Sequence, residues 1–125
     1  MKKIFIPSLI VTVLFLNGCY YDTESLLYPA AAANCDTTNI TYSVTIRNIL
    51  QSNNCFNCHS GTAASGGNVV LDNYANSKQY AQNGRLYGSI NHDAGYVPMP
   101  QGGNKLTTCD LKKVKIWINS GTPNN

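Results

Sequence analysis

Five consecutive residues, Cys55-Phe56-Asn57-Cys58-His59, carry the most specific chemistry in the chain. Two thiols three positions apart lie on one side of a helical turn, so both can form thioether links to the vinyl groups of one haem. The imidazole that follows is then placed to bind iron as proximal ligand. Two other chemistries use a Cys-x-x-Cys pair. A thioredoxin-like redox pair expects a βαβ context, which the flanking sequence does not offer. A zinc site needs two further ligands, and Cys35, Cys109 and His92 provide no second close pair. The motif therefore predicts one covalently attached haem c per chain, held by Cys55, Cys58 and His59.

The opposite axial position has two candidates. Met99 stands in Tyr96-Val97-Pro98-Met99-Pro100, forty residues after His59. Flanking prolines stiffen the segment and bias the residue between them toward an extended form, which suits a thioether sulfur presented from a loop. The plainer role for a methionine is to fill a core gap. His92, in Asn91-His92-Asp93, is the rival ligand and would make a bis-histidine centre. Arg85, Tyr87 and Tyr96 are candidates to bond haem propionates; a plain surface charge is the alternative for Arg85.

The N-terminal residues bear on location. Lys2 and Lys3 precede a mostly apolar run from Ile4 to Leu16, which fits a secretory h-region and is too short to span a bilayer. It ends in Leu16-Asn17-Gly18-Cys19, which resembles the lipobox of bacterial lipoproteins, with Cys19 as the acylated residue; an ordinary signal peptide ending nearby, with Cys19 left as a free thiol, is the alternative. Residues 1–18 then form a lipoprotein signal peptide and 19–38 a lipidated tether, with the main domain over 39–125. Two or more acyl chains on one residue give stable anchoring. By the sorting habit of the lipoproteins that this segment resembles, Tyr20 rather than Asp after the lipid cysteine implies the outer membrane, on either its periplasmic or its surface face. With Cys19, Cys55 and Cys58 assigned, Cys35 and Cys109 remain as an even pair in an oxidising compartment, which predicts a disulfide between them.

Removing residues 1–18 leaves 107 of the 125 residues, enough for one small domain and a tether. It also removes Lys2 and Lys3, leaving seven basic against six acidic side chains. That balance offers no strong basic field for nucleic acid. Lys112, Lys113 and Lys115 read as a solvated helix face.

The elements that must position the motif read as helical. Thr41 can cap a helix from Tyr42 to about Gln51, with Tyr42, Ile46, Ile49 and Leu50 on one stripe. Val69 to Leu71 reads as a short apolar extended or looped patch. Asp72 can cap a helix through about Gln82, and Arg85 to Ile90 fits another. A Gly- and Pro-rich loop spans Asn91 to Lys105. Thr108 can cap a last helix whose buried stripe is Leu111, Val114, Trp117 and Ile118, stopped by Gly121 and Pro123.

A helix leading into Cys55-x-x-Cys58-His59, a late Met99 between prolines and a final aromatic-bearing helix resemble the class I c-type cytochromes over about Asn39 to Gly121. Within that class, Cys58-His59-Ser60-Gly61 and the Val97–Pro100 segment look like the small lipid-anchored monohaem cytochromes of Gram-negative bacteria. The resemblance implies an all-α, cytochrome c-like helical domain wrapped around the haem. It also implies His59 as proximal and Met99 as distal ligand, and a first helix crossing the last. The function it implies is single-electron transfer between transient redox partners, without catalysis, by an exported protein anchored in the membrane through its lipid. The Cys35–Cys109 pair and the acylated tether are not general features of that class. Two other functions suit the same motif: a haem open on one side with peroxidase or gas-binding activity, or a haem-bearing structural module of a surface complex.

Overall fold

Thr41 starts the first helix as its sequence predicts. Its hydroxyl accepts the Val44 N–H at 3.3 Å, and its carbonyl accepts both Thr45 N–H and Ile46 N–H at 3.0 Å. The second of these bonds spans five residues, so the helix opens as a π turn, Tyr42–Ile46, before continuing as α1, Arg47–Ser52. The computed structural model describes residues 35–125, and the expectations for the signal peptide, Cys19 and most of the tether lie outside them. The compact unit begins at Cys35.

Three further helices follow: α2 (Tyr74–Gln82), α3 (Arg85–Asn91) and α4 (Thr108–Asn119). The described residues contain no strand, so this unit is all-α. Short 3-10 turns at Cys55–Asn57 and Ala64–Gly66 lie between α1 and α2. Two caps stand one residue from their expected positions. Asn73 rather than Asp72 caps α2, accepting Asn76 N–H at 3.0 Å. Asp72 is committed to the loop instead, its carboxylate accepting Gly61 N–H at 2.8 Å and its carbonyl accepting from Arg47 at 2.8 Å. Thr107 rather than Thr108 caps α4, accepting Asp110 N–H at 3.1 Å.

The stripes meet in one core. Tyr42, Ile46, Ile49 and Leu50 are buried together with Leu111, Val114 and Trp117, while Ile118 is only partly buried at the margin. The π turn packs directly on α4, and α3 brings Leu86 and Ile90 to the same cluster. Each large apolar side chain buried in this way contributes roughly 1.5–3 kcal/mol. Trp117 also donates its indole N–H to Pro123 O at 3.0 Å, so its polar edge is satisfied within the core. Gly121 at φ 89° ends α4 in the left-handed region, as expected of a glycine there. The Cys35–Cys109 disulfide is formed, with a Cα–Cα distance of 5.5 Å, and ties the start of the unit to the first turn of α4. No described helix is long and apolar enough to cross a membrane.

Candidate functional site

Asn54, in the left-handed region at φ 58°, turns the chain out of α1 and into the Cys55–Asn57 turn. His59 N–H closes that turn on Cys55 O at 2.9 Å. The chain then loops back through Ala63, Gly67 and Asn68, all at positive φ, and residues 69–71 run beside His59. Leu71 N–H bonds His59 O and His59 Nδ1 meets Val69 O, each at 2.8 Å. A backbone carbonyl can only accept, so Nδ1 carries a proton and is committed to this bond, which leaves Nε2 as the ring nitrogen available to a metal. That is the state of a histidine whose second nitrogen is oriented by the protein while the first is free to bind a metal.

Gly66 makes this arrangement fit. A Cβ there would collide with Cys58 O and stand 2.5 Å from His59 Nδ1, so the loop can cross the ring only where a side chain is missing.

Cys55, Cys58, His59 and Met99 all line one cleft of about 710 Å³, within the range of cofactor sites. Leu50, Val69, Leu71, Leu86 and Ile90 supply its apolar walls. Tyr80 and Arg85 also line it, the guanidinium carbon lying 5.2 Å from the tyrosine ring centroid. The other two residues expected at the propionates stand outside the lining. Tyr87 lies under Lys115 at 4.5 Å, and Tyr96 packs its ring on α3, where a Cβ on Gly88 would come within 2.6 Å of it.

The segment that carries Met99 is fastened to the end of α3. Asp93 N–H bonds Gly88 O at 2.9 Å, Met99 N–H bonds Ser89 O at 3.0 Å, and Leu106 N–H bonds Ile90 O at 3.2 Å. These carbonyls lie in the last turn of α3, where Gly88 O and Ser89 O also accept the capping His92 N–H. His92 meets Met99 O with its Nε2 at 3.0 Å and is not part of the cleft lining. Of the two candidate distal ligands, the cleft therefore receives Met99.

The electrostatics of the thiols bear on what they can bind. Burial pushes the Cys55 thiol up to about 11, which disfavours the free thiolate that a redox dithiol uses as nucleophile. A sulfur that is to become an uncharged thioether suits this surrounding. Cys55 and Cys58 are free, and among the described residues no cluster of three His, Cys, Asp or Glu side chains is fit to hold a metal ion by itself. The donor set and apolar walls fit a covalently held haem better than a zinc ion or a redox dithiol.

At pH 8 a thiol at about 11 is ionised in about one chain in a thousand. Iodoacetamide applied to haem-free protein should therefore modify exposed Cys58 first, with the Cys55 rate rising about tenfold per pH unit between 8 and 10. Peptide mass spectrometry reads both rates, and equal labelling at pH 8 would contradict the buried setting of Cys55.

The sequence marks Gly66 as a break in regular structure but not its close approach to His59, and the Ser89 and Val69 carbonyls are backbone atoms that side-chain motifs do not mark.

Comparison of the chain with family models, curated proteins and solved structures finds no match.

Proposed function

We propose that this protein is a monohaem c-type cytochrome with a cytochrome c-like fold, which carries single electrons between redox partners. The observation that carries the reading is the convergence of Cys55, Cys58, His59 and Met99 on one cleft, with His59 Nδ1 committed to Val69 O. Cys55 and Cys58 would hold the haem through thioethers, His59 would bind iron through Nε2, and Met99 would supply a second protein ligand. When bound, the haem supplies a one-electron ferric/ferrous couple. The protein's part is to keep both ligands in place and the surroundings dry. Val69 O fixes the His59 ring, Ser89 O holds the Met99 backbone, and Leu50, Leu71, Leu86 and Ile90 exclude water. Arg85, at the cleft beside Tyr80, is the remaining candidate for a propionate.

Val97 lines the cleft and is 64 % exposed, so the cleft reaches the surface there. Redox partners would meet the protein transiently at such an edge. Lipid on Cys19 would hold the domain at an outer membrane, with the intervening residues as a tether.

The test is the oxidised absorption spectrum of the haem-loaded protein. A weak far-red band from methionine sulfur on iron is expected, and Met99→Ala should abolish it. Low-spin iron with no such band would move the assignment to His92. High-spin iron would sink the carrier reading in favour of gas binding or peroxide chemistry.

A further inference from the structure

We infer that His92 is a positioning residue for Met99, acting through a hydrogen bond to the methionine backbone. The inference rests on the reading of Met99 as the distal ligand. Pro98 and Pro100 have no N–H, so Pro98-Met99-Pro100 contains a single backbone donor, and that donor is spent on Ser89 O at 3.0 Å. Any second anchor must reach the segment through a carbonyl and must bring a donor of its own. His92 provides it: Nε2 stands 3.0 Å from Met99 O, and since the carbonyl only accepts, Nε2 carries the proton.

The placement of His92 serves this contact. It ends α3 in the left-handed region at φ 59° and ψ 40°, which turns the chain back along the helix end. Asp93 N–H on Gly88 O at 2.9 Å and the Asn91 amide on the Asp93 carboxylate at 2.7 Å hold the residues on either side. Met99 is thus gripped at its N–H by α3 and at its carbonyl by the residue that terminates α3. Neither bond uses the sulfur, which is left for the cleft that Met99 lines.

Loss of the His92 bond should raise the fraction of protein with Met99 off the iron. One net hydrogen bond corresponds to about a fivefold to tenfold change in such an equilibrium. The experiment adds imidazole to the ferric haem-loaded protein, where it competes for the place of Met99. His92→Asn tolerates the left-handed backbone but is too short to put a donor where Nε2 stands, and it should bind imidazole about fivefold to tenfold more tightly than wild type. His92→Gln carries an N–H at about the reach of Nε2 and should return the affinity toward wild type.

If His92→Asn matches wild type while Met99→Ala binds imidazole far more tightly, His92 has no positioning role and the ligand assignment stands. If Met99→Ala also matches wild type, both fall. Proton–nitrogen correlation spectra of the His92 ring in wild-type protein give a reading that needs no variant. A proton on Nε2 is expected, and its absence would overturn the inference.

Discussion

Gly66→Ala is expected to destabilise the haem-loaded protein by about 2–4 kcal/mol and to release His59 from Val69. The added methyl would meet two obstacles at once, the Cys58 carbonyl and the His59 ring at 2.5 Å from Nδ1. Neither is the loose end of a flexible side chain. The carbonyl belongs to the attachment turn, and the ring is buried and held at 2.8 Å by Val69 O. Relief therefore requires the 60–68 loop to lift away, or the ring to swing and give up its bond. Overpacking of this kind costs about 1–3 kcal/mol, and the lost hydrogen bond adds about 1 kcal/mol. Denaturant unfolding measures the stability, and the haem content per chain measures whether the site still matures. Gly67→Ala is the contrasting variant. Its φ of 62° makes alanine strained, but nothing lies within 4 Å of the added Cβ, so it should lose stability without disturbing His59. Equal effects of the two variants on haem content would mean that contact with His59 is not what Gly66 protects.

The contrast between these neighbouring glycines shows where the sequence is readable and where it is not. Apolar stripes are legible because burial follows helical period: Tyr42, Ile46, Ile49 and Leu50 face Leu111, Val114 and Trp117 in the core. Caps are legible to within a residue, since Thr107 and Thr108 have the same chemistry and only the path of the preceding loop chooses between them. Asp72 lost the cap of α2 because its carboxylate had a stronger use on Gly61 N–H, a contact eleven residues away that no local pattern encodes. The π turn at Tyr42–Ile46 was hidden for a similar reason. Its first N–H groups find partners on Asn125, with Tyr42 N–H on the side chain at 3.0 Å and Ser43 N–H on the carbonyl at 2.9 Å. In the candidate site, Cys55, Cys58, His59 and Met99 were legible because their side chains carry the chemistry. The atoms that orient them, Val69 O and Ser89 O, belong to the backbone and are delivered by loops. Glycines mark both loops, and Gly61, Gly67 and Gly95 do take positive φ, but Ala63, Asn68 and His92 take it as well without being glycines, so composition located the loops and not their path.

Cys35→Ser combined with Cys109→Ser should lower the unfolding free energy by about 4.5 kcal/mol, the loop-closure entropy of a 74-residue separation. Small domains have only about 5–15 kcal/mol in total, so the variant should unfold at a temperature lower by roughly 20 °C or more. Both cysteines are replaced so that no lone thiol remains to pair between molecules. Their position makes the effect global. The bridge joins the start of the compact unit to Cys109 in the first turn of α4, the helix that carries Trp117 and packs on the π turn. Neither cysteine lines the cleft that holds His59 and Met99. The double variant should therefore keep the wild-type far-red band at low temperature while losing much of its thermal stability, and reducing agent should reproduce the loss in wild type. A change in melting temperature of only a few degrees would mean that the unfolded chain is already constrained without the bridge, for which two thioether links to one haem would be the first explanation to examine. A lost far-red band in a folded double variant would instead tie the disulfide to the ligand loop, through Leu106, which stands three residues before Cys109 and bonds Ile90 O at the end of α3.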